Sequence, residues 1–123
     1  MQRPALPRRQ LIGLALLLLA ITAGTEAWRS HLAARWAAPL VAVARPGDIR
    51  LISSVTCTYC TQARQWLTAA GVPFDECFIE REATCAQRFQ ALGGAGTPLV
   101  LVRGQPQLGF TPEQVARALG AAG

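Results

Sequence analysis

Residues 49–70 read IRLISSVTCTYCTQARQWLTAA. Ile49, Leu51 and Ile52 make Ile49–Ser53 a short apolar run of the kind that forms a buried strand. From Thr58 the pattern changes period. Ala63, Trp66, Leu67 and Ala70 recur at helical spacing, so Thr58–Ala70 is expected to be a helix with one buried face. Gly71 and Pro73 supply its C-terminal stop. Cys57 and Cys60 therefore fall where a strand gives way to a helix.

Downstream, Phe74–Ile79 reads as a second strand and Glu82–Leu92 as a second helix, which Gly93-Gly94-Ala95-Gly96 ends. Leu99–Arg103 is a third strand. Gly104-Gln105 suits a two-residue hairpin turn with Gly first. Gln107–Gly109 would then be a short edge strand, where Pro106 is tolerated. Thr111-Pro112-Glu113-Gln114 combines an N-cap, a proline at the first helical position and a capping-box partner. Val115, Ala118 and Leu119 give that last helix its apolar face. The order β-α-β-α-β-β-α makes the first two strands parallel and the last two antiparallel. The expected class is α/β, a four-stranded mixed sheet with three flanking helices.

The position of the cysteine pair carries chemistry. A thiolate at a helix N-terminus is stabilised by unpaired N–H groups and the helix dipole. The two-residue spacer places the second thiol one turn away, able to attack a mixed disulfide. Cys57 is the expected exposed nucleophile and Cys60 the resolving thiol. Half of a zinc site and a structural bridge are the alternatives for such a pair. Cys77 and Cys85 are eight apart, on an expected strand and helix, and do not form a second zinc knuckle. The only histidine, His31, lies outside this region, so neither a His-assisted nucleophile nor a His-rich metal site is expected there.

In three places the sequence resembles the thioredoxin superfamily and, within it, the glutaredoxins. Cys57-Thr58-Tyr59-Cys60 is similar to Cys-Pro-Tyr-Cys, Gly96-Thr97-Pro98 to the Thr-Val-Pro region, and Leu108-Gly109-Phe110 to the Gly-Gly-Phe turn. The resemblance covers roughly residues 49–120 and implies a thioredoxin-like fold of glutaredoxin type. It also implies a cis Pro98 facing the cysteines, with Thr97 offering its backbone to an extended substrate. Tyr59, Gly109 and Phe110 would complete the substrate site. No resident cofactor or metal is implied, and glutathione is a candidate reductant. The chain departs from the family at Val55, where a basic residue is usual, and at Thr111-Pro112, where an acidic pair helps hold glutathione. Its Gly-Phe-x-Pro ending is similar to the small redoxins that serve ribonucleotide reductase.

Helix two should fold back on strand two, which brings Cys77 and Cys85 within reach of a structural disulfide. An oxidising compartment favours that bridge. Two buried free thiols are the alternative.

The N-terminal region sets the compartment. Residues 1–47 hold six arginines against Glu26 alone, whereas residues 48–123 hold six arginines against six acids. The basic excess is thus confined to the leader, and the neutral domain lacks the footprint of nucleic-acid binding. Arg3, Arg8 and Arg9 precede Leu11–Gly24, fourteen residues without a charge. This is an export pattern. It reads either as a membrane anchor or as a signal peptide cleaved near Thr25-Glu26-Ala27, and Arg8-Arg9 is also compatible with a twin-arginine signal. Either way the arginines stay on the cytoplasmic side and the domain lies beyond it, in the periplasm or outside. Residues 1–27 are taken as leader, 28–47 as a tether ending at Arg45-Pro46-Gly47, and 48–123 as the domain. Trp28, Leu32, Trp36 and Pro39-Leu40 alternating with Arg29 and Arg35 allow a short helix on the membrane surface. An irregular linker is the alternative.

The expected activity is thiol–disulfide oxidoreduction on protein or glutathione mixed disulfides outside the cytoplasm, with an unknown electron donor or acceptor. Other classes are a Cu(I)-thiolate carrier and a non-catalytic binding module. Against the carrier, no Met or His stands near Cys57, since Met1 is the only methionine and His31 the only histidine.

Overall fold

In a computed structural model, residues 6–121 of the chain are described. The chain divides after Leu32 into two units. The first is almost entirely one helix, α1 (Arg8–Ala34), with no buried side chain along its length. At 1.5 Å per residue it extends about 40 Å. It is long and apolar enough to cross a membrane.

The second unit is a mixed sheet with helices on both faces. Its elements are α2 (Ala37–Val43), β1 (Ile49–Ser53), α3 (Thr58–Ala70), β2 (Asp75–Phe78), α4 (Ala83–Ala91), β3 (Leu99–Val102), β4 (Gln105–Leu108) and α5 (Pro112–Leu119). The strand order is β2-β1-β3-β4. β1 and β2 pair in parallel, with Ser53 beside Phe78. β1–β3 and β3–β4 are antiparallel.

The twofold alternation of strands divides the core. Ile49, Leu51, Val100 and Val102 point to one face, where Ala63 and Leu67 of α3 and Val115 and Leu119 of α5 meet them. Ile52, Leu99 and Leu101 point to the other, against Cys85 and Phe89 of α4. The continuous apolar run Leu99–Val102 is buried on both sides, as expected of a strand inside such a sheet.

Two expectations need correction. The segment read as a tether contains α2, whose Leu40 is fully buried among Val115, Leu119 and the α3 side chains. Trp36, Val43 and Ala44 pack against the same cluster. α2 thus joins the three expected helices beside the sheet, and the compact unit begins at Ala33. The hairpin is also shifted. Val102 pairs with Gln105, so the turn is Arg103-Gly104, with φ of 48° and 83°. Positive φ at both central residues is the arrangement that matches strand twist. Arg103 accepts it because its N–H donates to the Asp48 carbonyl at 2.7 Å and its guanidinium reaches the Asp48 carboxylate at 3.4 Å. Pro106 then lies opposite Leu101 on the edge strand. Its nitrogen points away from β3, and the ladder loses no bond.

Candidate active site

β1 ends at Ser53 and the chain turns through Ser54-Val55-Thr56 into α3. Within the turn the Cys57 N–H donates to the Ser54 carbonyl at 3.2 Å. Cys57 is the N-cap of α3, with extended backbone, and its Sγ accepts the Cys60 N–H at 3.1 Å. Sulfur here takes the part that a Ser or Asp oxygen usually plays at a cap. No acid stands in the first turn to oppose a negative charge on that sulfur. Cys60, one turn on, is completely buried, whereas Cys57 is half-buried. The two are disulfide-bonded, with Cα atoms 5.2 Å apart.

Strand register brings a second segment to the same end of the sheet. Continuing the β1–β3 pairing one step beyond Ile52–Leu99 sets Pro98 beside Ser53. The Thr97–Pro98 peptide is cis. The Gly109 N–H donates to the Pro98 carbonyl at 2.9 Å, so Pro98 and Gly109 are adjacent. Thr97 lies past the end of β1, and among the described residues its backbone groups join no ladder. Tyr59 is 72% exposed, next to the cysteines in α3. Phe110, which follows Gly109, is half-buried. Its ring lies 5.8 Å from that of Trp66 and packs against the core, two turns down α3 from the cysteines. Thr111 caps α5 by accepting the Gln114 N–H at 3.2 Å.

The structure adds a residue that the sequence pattern had not singled out. Glu80, two positions past β2, reaches across to the turn before Cys57. Its carboxylate accepts from the Ser54 hydroxyl and, at 3.2 Å, from the Val55 N–H. The Ser54 hydrogen bond is the main reason its carboxyl is held below the ordinary glutamate range. Parallel pairing of β1 and β2 was the signal that could have found it, since the chain leaving β2 must pass the chain leaving β1. Within Asp75-Glu76-Cys77-Phe78-Ile79-Glu80-Arg81-Glu82, no single acid is distinguished by sequence alone.

Below the site, the Arg64 fork grips Glu76 at 2.5 and 2.8 Å and ties α3 to β2. Burial acts to raise the Glu76 pKa, but Arg64 outweighs it, with help from the nearby Ser53 hydroxyl, and the net direction is down. That hydroxyl is buried and completes no hydrogen bond of good geometry. On the opposite face of the sheet, Cys77 and Cys85 are disulfide-bonded across β2 and α4, with Cα atoms 6.0 Å apart. Among the described residues, no three His, Cys, Asp or Glu side chains converge on a metal position.

Residues 49–106 match the glutaredoxin family. This stretch belongs to that family. The match takes in Cys57, Cys60, Glu80 and Pro98, and stops short of Gly109-Phe110. Among solved structures, a mutant of the thioredoxin-like protein BC3987 is 21% identical, with a TM-score of 0.54 over 62% of this chain and 99% of its own. Methanoredoxin of Methanosarcina acetivorans is 23% identical, with a TM-score of 0.52 over 65% of this chain and 92% of its own. At these identities the likeness is one of fold. No curated protein matches the chain at a significant level. The glutaredoxin domain and its Cys57–Cys60 pair support thiol oxidoreductase chemistry in general.

Proposed function

We propose that this glutaredoxin-family domain exchanges disulfides with protein substrates on the far side of a membrane to which α1 holds it. The observation that carries the reading is the asymmetry of the pair. Cys57 Sγ sits half-exposed at the N-cap, receiving the Cys60 N–H, while Cys60 is buried beneath it. In the reduced enzyme the Cys57 thiolate attacks one sulfur of a substrate disulfide. A mixed disulfide forms and the other substrate sulfur leaves as a thiolate, taking a proton. Cys60 then gives up its proton and attacks Cys57 Sγ, which expels the second substrate thiol. The substrate gains two electrons and the enzyme ends as the Cys57–Cys60 disulfide. The reverse sequence oxidises a dithiol, and the electron partner fixes the direction.

An extended protein segment suits the site. Thr97 offers unladdered backbone beside Pro98, the place where a substrate strand can add. Exposed Val55 and Tyr59 flank Cys57 with apolar surface. Thr111 and Pro112, standing where the family holds glutathione with acids, are used here to start α5. These features favour protein disulfides over glutathione, and no resident cofactor takes part. The basic N-terminal end of α1 and its apolar length support an anchored or exported domain facing the periplasm or outside.

The test is to trap the Cys60→Ser full chain in its native membrane fraction. A mixed disulfide at Cys57 with a defined protein is the expected result. No adduct, together with stoichiometric copper on the unmodified protein, would replace this reading with metal carriage. The mass of the purified chain reports whether α1 is retained.

A further inference from the structure

The turn before Cys57 has few supports of its own. Ser54 organises it locally: its Oγ lies 3.3 Å from Thr56 Oγ1 and 3.4 Å from the Thr56 N–H, and its carbonyl accepts the Cys57 N–H. The support from outside comes from Glu80, whose two carboxylate oxygens take the Ser54 hydroxyl and the Val55 N–H. Just below, the Ile79 N–H donates to the Ser53 carbonyl at 3.0 Å. The segment after β2 is thus laced to the start of this turn at two successive residues.

Glu80 is exposed, and its placement depends on the chain that presents it. That chain runs from Cys77 to Cys85, and the disulfide between those residues closes it into a loop with Glu80 near the middle. The Arg81 and Glu82 N–H groups both donate to the Phe78 carbonyl, so the loop is a tight turn. Arg81 lies over the Phe78 ring, 4.7 Å from its centroid, and Arg64 over the same ring at 5.4 Å. Among the described residues, neither arginine pairs with Glu80 within ion-pair distance.

We propose that Glu80 is a positioning residue for Cys57, presented to the active-site turn by a loop that the Cys77–Cys85 bridge holds closed. The carboxylate fixes Ser54 and Val55. These fix the approach of the chain to the N-cap, and the cap geometry places Cys57 Sγ on the Cys60 N–H. The second disulfide thereby acts on the first without exchanging electrons with it. Reducing or deleting the bridge loosens the loop, and the nucleophile loses part of its stabilisation. The proposal rests on Cys57 being the reactive thiol.

The experiment measures iodoacetamide alkylation of Cys57 against pH, in full-length chain carrying Cys60→Ala so that Cys57 is the single free thiol. Glu80→Ala should raise the alkylation midpoint by about 0.5 pH unit or more, roughly a threefold shift from thiolate toward thiol. Glu80→Gln keeps an acceptor oxygen for the turn and should return the midpoint close to that of the parent. Cys77→Ser with Cys85→Ser should raise the midpoint in the Glu80 chain and add nothing in the Glu80→Ala chain, since coupled groups are not additive. An unchanged or lowered midpoint in Glu80→Ala overturns the proposal, because loss of a negative charge alone lowers a thiol pKa. So does a Gln variant that behaves like Ala, or a bridge deletion with the same effect in both backgrounds. Failure of the underlying reading looks different. In that case Cys57 and Cys60 of the reduced parent, with both thiols present, alkylate at equal rates whatever stands at position 80.

Discussion

Leu40→Ala tests whether α2 is part of the domain or merely connects it to α1. Leu40 is the one side chain of α2 that is fully buried, and it sits with Val115 and Leu119 on the face that α3 also covers. Truncation removes three carbons from a site with no solvent exposure. The transfer contribution is therefore taken whole, at about 0.8 kcal/mol per carbon, or roughly 2.4 kcal/mol. The cavity left between α2 and α5 adds to this, and Leu→Ala changes at such sites cost about 2–5 kcal/mol. A working value of about 3 kcal/mol lowers the melting temperature of a domain this size by roughly 12–24 °C. The assay is a thermal melt of the full chain in detergent, followed by near-ultraviolet circular dichroism, to which the tertiary setting of Trp36 and Trp66 contributes. Val41→Ala is the control, since Val41 is 47% exposed in the same helix. It should stay within about 0.5 kcal/mol of the parent. If Leu40→Ala melts with Val41→Ala, α2 is not a structural element of the domain and the residues before Asp48 are a tether after all.

The Arg64–Glu76 pair predicts a pH dependence. Glu76 has a folded pKa below its unfolded value of about 4.3, so its contribution is complete above that value and is lost as pH falls through the lower folded value. Glu76→Gln should cost about 1.5–3 kcal/mol in urea unfolding at pH 7, the worth of hydrogen bonds to a charged group. The gap between parent and variant should narrow below pH 4, and a gap that stays constant down to pH 2.5 refutes the assignment. For the second disulfide, non-reducing peptide mapping of the purified chain should return a Cys77–Cys85 crosslink. Alkylation of both cysteines after native isolation refutes it.

Particular elements show what the sequence can and cannot disclose. β1 and α3 are found at the residues expected, because a run of β-favouring residues meets a clear change of period at Cys57, and Gly71 marks the end. The N-cap of α5 is also where Thr-Pro-x-Gln predicts, for a local reason: the hydroxyl needs only the N–H three residues on. The hairpin turn was misplaced by one residue because its conformation is decided from outside. Asp48, far back in the chain, supplies the partner that lets Arg103 rather than Gly104 open the turn. α2 was misread for a similar reason. Ala37–Val43 is short and carries a proline, and only the groove formed with α5 turns Leu40 into core. The cysteines at the site were legible because their chemistry is sequential. The contact of Glu80 with the turn was not, because it arises from two strands ending side by side. Nor was the packing of Phe110 on Trp66, because a family motif says nothing of that neighbour.

Pro106 has a consequence beyond its own hairpin. In β4 the backbone groups of Gln105 and Gln107 turn inward to β3, which leaves Pro106 and Leu108 to face outward. Pro106 has no N–H, so the outer rim of β4 offers a single strand donor, that of Leu108, where an incoming strand would need alternate donors in sequence. The β4 rim gives an incoming strand almost nothing to zip onto. A proline that looks like a tolerated irregularity thus blunts this edge of the sheet against the addition of another strand.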